Sequence, residues 1–521
     1  MNQRHVAVIG GGLAGITAAL SLRDAGAAVT LLESRPRLGG AASSYSRGGM
    51  MIDNGQHVFL RCCSSYQELL ARLGVTDQVS IQDRFDVTVL TGTGNGSARL
   101  RRSSLPSPLH LAGALARYPL LSLAERARVG RAALAFRLAD PASPDLDRQR
   151  LGEWLAARGQ DERARRRLWD LFIISALNIS GDDASVGLAA TVIKTALLGR
   201  RDAADIGMAK VPLGRLHADA TADLLARVGA EVRLGARAAG IERLPGGGFR
   251  IGLSRGEAGA DGDAPDGASP EKASTEKAST EKASTEKAST EKASPERAST
   301  DSAGPPASGA PSMLADAVVL AVPPGQATRL AASAGVTQAP DFEQLGYSPI
   351  VNVHVIFDRK VMQLPFVAAV DSPVQWVFDK TKQSGLRAGQ YLAVSLSAAD
   401  DFVDVPTVAL RQLFLPALEQ LFPAAAGAGI TDFFVTRERR ATFRQGPGSG
   451  ALRPGAATSV PGLVLAGAWT DTGWPDTMEG AVRSGHNAAR ELAGQLVSLP
   501  PAEQAPGRTS AELDNAWSGA S

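Results

Sequence analysis

At 521 residues the chain is too long for one compact core and predicts two or three domains. Its 44% hydrophobic and 21% charged residues give the profile of a soluble globular protein and exclude a fibrous or wholly disordered one. The net charge is +2, with 55 Lys and Arg against 53 Asp and Glu, and no basic run is interleaved with aromatics, which excludes nucleic acid as a partner.

His5 to Ile9 reads as a short apolar strand, Gly10 to Gly12 as a turn, Ala14 to Ala25 as a helix and Ala28 to Leu32 as a second apolar strand, together a βαβ unit. Gly26 stands where a helix end places a residue with positive φ. The apolar run Val6 to Leu22 is broken by glycines and is shorter than the ~20 apolar residues of a spanning helix, so it reads as neither signal peptide nor membrane span. Within the turn, Gly10-x-Gly12-x-x-Gly15 has the spacing of a dinucleotide-binding loop. Its first glycine makes the tight turn, the second lets backbone approach a pyrophosphate, and the third lets helix pack closely on strand. The phosphates would rest at the helix N-terminus, on Leu13 and Ala14, where free N–H groups and the helix dipole favour anions. Glu33 ends the second strand, placed to accept hydrogen bonds from ribose hydroxyls. NAD and FAD both use such a unit.

Further along, Cys62 and Cys63 are the only cysteines, and adjacent residues rarely suit a relaxed disulfide. They lack the spaced partners of a zinc site or a redox CxxC pair, so free thiols, no metal and a reducing, cytoplasmic compartment are expected. Leu109 to Ala139 mixes Leu and Ala with Arg117, Arg126, Arg128, Arg131 and Arg137. Two readings fit: a helix lying on a membrane surface, or ordinary helices of a second domain with a solvated basic face. A helix is expected over Leu216 to Val228, then a strand at Glu231 and Val232.

Six five-residue units, four of them EKAST, run from Glu271 to Thr300. Their period matches neither helix nor strand, and their Lys to Glu pairs at i,i+4 have the weaker orientation, so 255–312 is expected to be a disordered insertion. It interrupts a domain between a strand at Phe249 to Leu253 and another at Ala315 to Val322. Leu463 to Gly485 reads as a strand ending at Gly467, a loop, and a helix opening at Met478-Glu479-Gly480-Ala481 and running to about Leu492. The Pro- and Ala-rich tail from 499 is expected to be disordered. No HExxH, GxSxG or Gly-Lys phosphate loop occurs, which removes the common hydrolase and NTPase readings.

The run Glu33-Ser34-Arg35-Pro36-Arg37-Leu38-Gly39-Gly40 resembles the signature of the large flavoprotein group that includes amine oxidases and carotenoid desaturases. The resemblance implies FAD, with Ser34 and Arg35 on its adenosine side and Gly39 and Gly40 letting the chain pass close to the cofactor. Ala41 stands where many members carry a pyrophosphate-binding arginine. Asp53-Asn54-Gly55-Gln56-His57 matches the segment that runs beside the isoalloxazine ring, with Gly55 and Gln56 at the cofactor and His57 the one histidine expected near it. By the same resemblance the backbone at Val232 reads adenine, and the helix N-terminus at Met478, Glu479 and Ala481 faces the flavin pyrimidine. Gly467 lies at the strand end, Ala468 replaces a usual acidic residue there, and Asp471 is the candidate substitute.

DNGQHVF, CC-x-x-Y at Cys62 to Tyr66, FIISALNIS at Phe172 to Ser180 and GWPDTMEGAVRSG are similar to the squalene-associated FAD-dependent desaturase family, itself akin to plant-type phytoene desaturases. The implied fold is α/β: a Rossmann-like two-dinucleotide-binding FAD domain from 1–85, 206–339 and 446–498, with an inserted α+β substrate domain from 86–205 and 340–445. The implied activity is reductive dehydroxylation of hydroxysqualene to squalene in hopanoid synthesis, with His57 as proton donor and Asp53 as its competitor. The implied partners are a lipophilic isoprenoid substrate, an electron donor of unspecified identity and a peripheral membrane contact. A carotenoid desaturase and, behind it, a flavin amine oxidase are the alternatives.

Overall fold

A computed structural model describes residues 3–92, 96–255, 311–336 and 342–499. The N-terminal unit forms where the apolar pattern placed it, as β1 (His5–Ile9) and β2 (Ala28–Glu33) around a helix. Three further strands, β3 (Glu231–Leu234), β4 (Ala317–Leu320) and β5 (Leu463–Leu465), complete a parallel sheet in the order β3-β2-β1-β4-β5. Val6, Ala7, Val8 and all of β4 are fully buried, as a parallel sheet covered on both faces requires. The chain steps outward from β1 to β2 on one side and returns with β4 on the other. A crevice therefore opens beyond the carboxyl ends of β1 and β4, at the switch point where such sheets take ligands.

Four helices set the site and the outer surface: α1 (Leu13–Asp24), α2 (Ser64–Leu73), α3 (Leu123–Leu138) and α4 (Met478–Leu496). The first and last pack so closely that a Cβ on Gly485 would lie 2.4 Å from the Ala14 carbonyl oxygen. Strands from two distant segments form one seven-stranded sheet, in which Asp86–Thr91 pairs in parallel with Phe366–Val370. One face of that sheet packs on helices from the 109–197 stretch through Val87, Val89 and Ala368. Its other face packs on the helix Thr407–Leu421 through Val353, Val394 and Phe414.

Three expectations are corrected. The single strand Ala315 to Val322 is two strands in different sheets, Ser312–Ala315 in an antiparallel sheet and β4 in the parallel one. The chain changes sheets at Asp316, whose carboxylate accepts the His5 N–H at 2.7 Å while its own N–H donates to the His5 carbonyl at 2.8 Å. The helix expected from Leu216 starts as a wide π-helical turn, Arg215–Asp219, before regular helix at Ala220–Arg227. The final helix runs on to Leu496.

Cys62 and Cys63 are free, half-buried thiols. Among the described residues no helix is long and apolar enough to cross a membrane, and no group of three or more His, Cys, Asp or Glu is placed to hold a metal ion.

The EKAST repeat lies outside the described residues, and its expected bounds of 255–312 contract because Arg255 ends one strand and Ser312 begins the next. Those strands are antiparallel neighbours with Gly252 opposite Ser312, so a short turn can join them. Replacing 256–310 by a brief Gly/Ser link is therefore expected to leave flavin content and turnover nearly unchanged, loop-closure entropy changing by only about 0.6 kcal/mol per doubling of length. Loss of flavin from a well-expressed deletion would show that the insertion is structural.

Candidate active site

The glycine loop is shaped by two contacts that tolerate no side chain. Gly10 has φ of +110°, and a Cβ there would stand 2.2 Å from the Ala321 carbonyl oxygen at the end of β4. A Cβ on Gly15 would stand 1.9 Å from the Gly10 carbonyl oxygen. Gly12 differs, for its φ is −77° and a Cβ would meet nothing nearer than the Gly40 Cα at 3.8 Å. Protein packing does not demand glycine there, and the space leaves room for a phosphate group to approach the backbone. Gly39 donates its N–H to the Gly11 carbonyl at 2.9 Å, and Gly40, with φ of +57°, would bring a Cβ within 2.9 Å of the Gly12 Cα. The Gly39–Gly40 pair thus crosses the glycine loop at Gly11 and Gly12.

The Glu33 carboxylate is buried at the end of β2. It accepts the N–H of Gly11 at 2.7 Å, that of Arg35 at 2.8 Å and the Ser34 hydroxyl at 3.2 Å. The Arg35 side chain is exposed, and its backbone is fixed by the Gly235 N–H donating to its carbonyl at 3.1 Å. Val232, half-buried on β3, lies opposite Leu31.

At the other end of the crevice Gly467 has φ of +142°, and a Cβ would collide with the Trp469 indole nitrogen at 2.3 Å. Thr477 caps α4, its hydroxyl accepting the Gly480 N–H at 3.2 Å, and the Ala481 N–H donates to the Thr477 carbonyl at 2.9 Å. Ala481 is therefore spent inside the helix, and the amides of Met478 and Glu479 precede its first helical bond. The Glu479 side chain is committed elsewhere: buried, it accepts the N–H groups of Tyr66 at 2.8 Å and Ser65 at 3.3 Å, capping α2, and takes Arg483 Nε at 2.7 Å. Asp471 lies in an exposed turn, its carboxylate closing on the Gly473 N–H at 3.1 Å.

Between these cradles the hairpin Ser44–Arg47/Met50–Asp53 delivers Asp53 to the interior. One carboxylate oxygen accepts the Ser44 hydroxyl at 2.7 Å and the Leu213 N–H at 2.9 Å; the other pairs with Lys380 Nζ at 2.8 Å. Lys380 follows the strand Trp376–Asp379 and is half-buried, while Asp53 is nearly inaccessible. A pocket beside the pair is lined by Gln56, His57, Lys380, Met208, Pro365 and Phe378. Burial lowers the His57 pKa and the nearby Lys380 ammonium lowers it further, against Asp53 and a backbone hydrogen bond to Ala41 that raise it. Both polar atoms of the Gln56 amide are buried with no protein partner. An orphaned donor and acceptor at this wall fit the alternating edge of a flavin pyrimidine, as the open cradle above Gly12 fits a pyrophosphate.

His57 is not the only histidine within electrostatic reach of Asp53. His217 packs behind the hairpin, with Nδ1 3.0 Å from the Ala42 carbonyl and Nε2 2.8 Å from the Tyr66 hydroxyl, and burial lowers its pKa to about 4. His354 lies between the hydroxyls of Tyr391 at 2.7 Å and Thr436 at 3.0 Å, its pKa pushed by burial to about 3. Both are neutral structural groups. Sequence reasoning missed them and Lys380; the polar residues of the 347–357 strand could have suggested His354, but nothing local marks Lys380 as the partner of Asp53.

Gly12 and Gly15 give a paired test. Gly12→Val, whose Cβ meets nothing nearer than the Gly40 Cα at 3.8 Å, is expected to yield folded but colourless protein. Gly15→Ala should also lower stability, by about 1–3 kcal/mol through overpacking. Flavin-to-protein ratio and thermal midpoint separate the two, and full flavin occupancy in Gly12→Val would misplace the nucleotide site.

The family model described as flavin containing amine oxidoreductase matches residues 13–264 and 303–493. Hydroxysqualene dehydroxylase of Rhodopseudomonas palustris is 27% identical, over 93% of this chain and 97% of that protein. Zeta-carotene desaturase of Synechocystis sp. is 25% identical, over 96% and 99%. Among solved structures, cyclohexylamine oxidase from Brevibacterium oxydans covers 95% of this chain and 100% of its own with a TM-score of 0.64 at 18% identity. With the family model matching most of the chain, from the start of α1 to the α4 cradle, the chain belongs to the flavin-containing amine oxidoreductase family and is an FAD-dependent oxidoreductase.

Proposed function

We propose that the chain dehydroxylates an allylic C30 isoprenoid alcohol reductively, converting hydroxysqualene to squalene with electrons from a separate donor, as a step of hopanoid synthesis. The observation that carries this reading is the Lys380 ammonium, held by Asp53 at the wall of a pocket whose other linings include Val58, Met208, Ala209, Pro365 and Phe378. The dehydroxylases among the relatives support the substrate.

Replacing C–O by C–H requires hydride at carbon and a proton on the departing oxygen, because hydroxide leaves poorly. FAD, when bound in its reduced form, supplies the hydride. Lys380 supplies the proton. Asp53, which accepts from Ser44, Leu213 and Lys380, holds the lysine in place. His57, expected from the sequence to be the acid, is disfavoured as a cation by burial and by Lys380, so its neutral ring orients the hydroxyl through a hydrogen bond. Val58, Met208, Ala209, Pro365 and Phe378 give the carbon chain apolar contact beside the polar Gln56, His57, Asp379, Lys380 and Gln383.

A desaturase, running the flavin in the oxidising direction, is the second reading, supported by relatives named zeta-carotene desaturase. It has no departing oxygen to protonate and leaves the Lys380–Asp53 pair without a chemical role.

Under anaerobic conditions, reduced protein given hydroxysqualene is expected to form squalene, and oxidised protein given phytoene and an electron acceptor is expected to form little conjugated product. Conjugated polyene from phytoene with hydroxysqualene untouched would replace this reading by the desaturase one. Lys380→Met should slow squalene formation by about 10²- to 10⁴-fold with flavin retained, and His57→Gln should slow it less. Product quantification with flavin content as control measures both; an unimpaired Lys380→Met would remove the lysine from the mechanism.

A further inference from the structure

Helix α3 carries two apolar stripes, and only one of them meets the protein. Glu125, Val129, Ala132 and Phe136 face the core and are at most 6% exposed. At 3.6 residues per turn, the opposite face presents Leu123, Ala127, Gly130, Leu134 and Leu138, spaced by four, three, four and four positions. All five are exposed, Leu123 to 78%, Leu134 to 56% and Leu138 to 79%. A surface helix ordinarily turns charge outward; this one turns outward a line of leucines separated by small residues. The segment leading into it adds Leu105 and Leu109, 50% and 54% exposed.

Charge flanks the stripe on both sides. Helical geometry places Arg126 and Arg137 along one edge and Arg128 and Arg131 along the other. Arg126 is half-buried and donates to the Leu121 and Ala116 carbonyls at 2.8 and 2.5 Å, and Arg128 pairs with Asp161 at 3.7 Å. The exposed Arg137 and Arg131, the latter also donating to the Arg158 carbonyl at 3.1 Å, are the outward charges. The helix has one acidic residue, Glu125, which is buried and closes a capping box with Ser122. At 16 residues the helix is about 24 Å long, too short to cross a bilayer of about 30 Å hydrocarbon thickness. Apolar side chains that insert shallowly, between arginines that reach outward to the headgroups, are the chemistry of a helix lying in a membrane interface.

We propose that the outer face of α3 docks the protein on an anionic phospholipid surface, with Leu123, Leu134 and Leu138 inserted and Arg131 and Arg137 on the phosphates. The inference stands on α3 alone and is independent of the dehydroxylase reading. A second copy of the chain is a poorer occupant, because a two-fold contact along the stripe would bring arginine edges against arginine edges.

The test is co-sedimentation of the full-length holoprotein with vesicles of phosphatidylcholine mixed with phosphatidylglycerol, against vesicles of phosphatidylcholine alone. The protein is expected to sediment with the anionic vesicles, less as salt rises. Changing Leu123, Leu134 and Leu138 together to Ser should weaken partitioning at least about tenfold. Arg131→Gln and Arg137→Gln should each weaken it about fivefold on anionic vesicles and little on neutral ones. Flavin content and circular dichroism should be unchanged throughout, since these side chains are exposed and lie outside the core-facing stripe of α3. A triple Ser variant that sediments as fully as the unaltered protein would overturn the proposal. So would an unaltered protein that ignores both vesicles while forming dimers, by light scattering, that the triple variant abolishes.

Discussion

Taking the Asp53 carboxylate out of water obliges the surrounding chain to supply donors and positive charge, since an unmatched buried ion costs several kcal/mol. The donors come from three separate places: Ser44 on the same hairpin, the Leu213 N–H ahead of the Arg215–Arg227 helix, and Lys380 from the second sheet. One carboxylate therefore fixes the hairpin beside the nucleotide cradle, the helix behind it and the sheet across the pocket. Lys380 is held from its far side as well. Its neighbour Asp379 accepts Gln390 Nε2 at 2.8 Å and the Thr381 N–H at 3.0 Å, so the loop that presents the lysine has little freedom.

Around that centre the site is built from backbone and neutral groups. Gly10 and Gly15 let β1, β4 and α1 converge, leaving amide N–H groups where an anionic cofactor group can rest. At the opposite end Glu479 gives its charge to the start of α2 and leaves the α4 amides free. Burial disfavours the cationic forms of His217 and His354, which lie outside the pocket lining, where Lys380, paired with Asp53, stands beside Gln56, His57, Asp379 and Gln383.

The nucleotide cradle was legible in the sequence because it is local: Gly10, Gly12, Gly15 and Glu33 act within one βαβ unit, and their spacing is their geometry. The α4 opening was legible for the same reason, although the side chain of Glu479 turned out to serve α2. What was not legible is what joins remote segments. The break at Asp316 depends on His5, reached across the whole first half of the chain. Asp53 could be picked out as a buried acid beside the flavin segment, but Lys380 sits in an Asp-Lys-Thr-Lys run that reads as an ordinary solvated turn. Likewise α3 could be read from its residues as either membrane-facing or solvated, and which face met the core decided what remained outside.

A double-mutant cycle on Asp53 and Lys380, read as the anaerobic single-turnover rate of squalene formation with flavin content matched, tests the centre of this account most directly. If the two act as one proton-donating unit, Asp53→Asn, Lys380→Met and the double variant should lose similar amounts of rate. Losses that multiply in the double variant would mean the residues act separately and would contradict the assignment of Asp53 as the group that holds the acid.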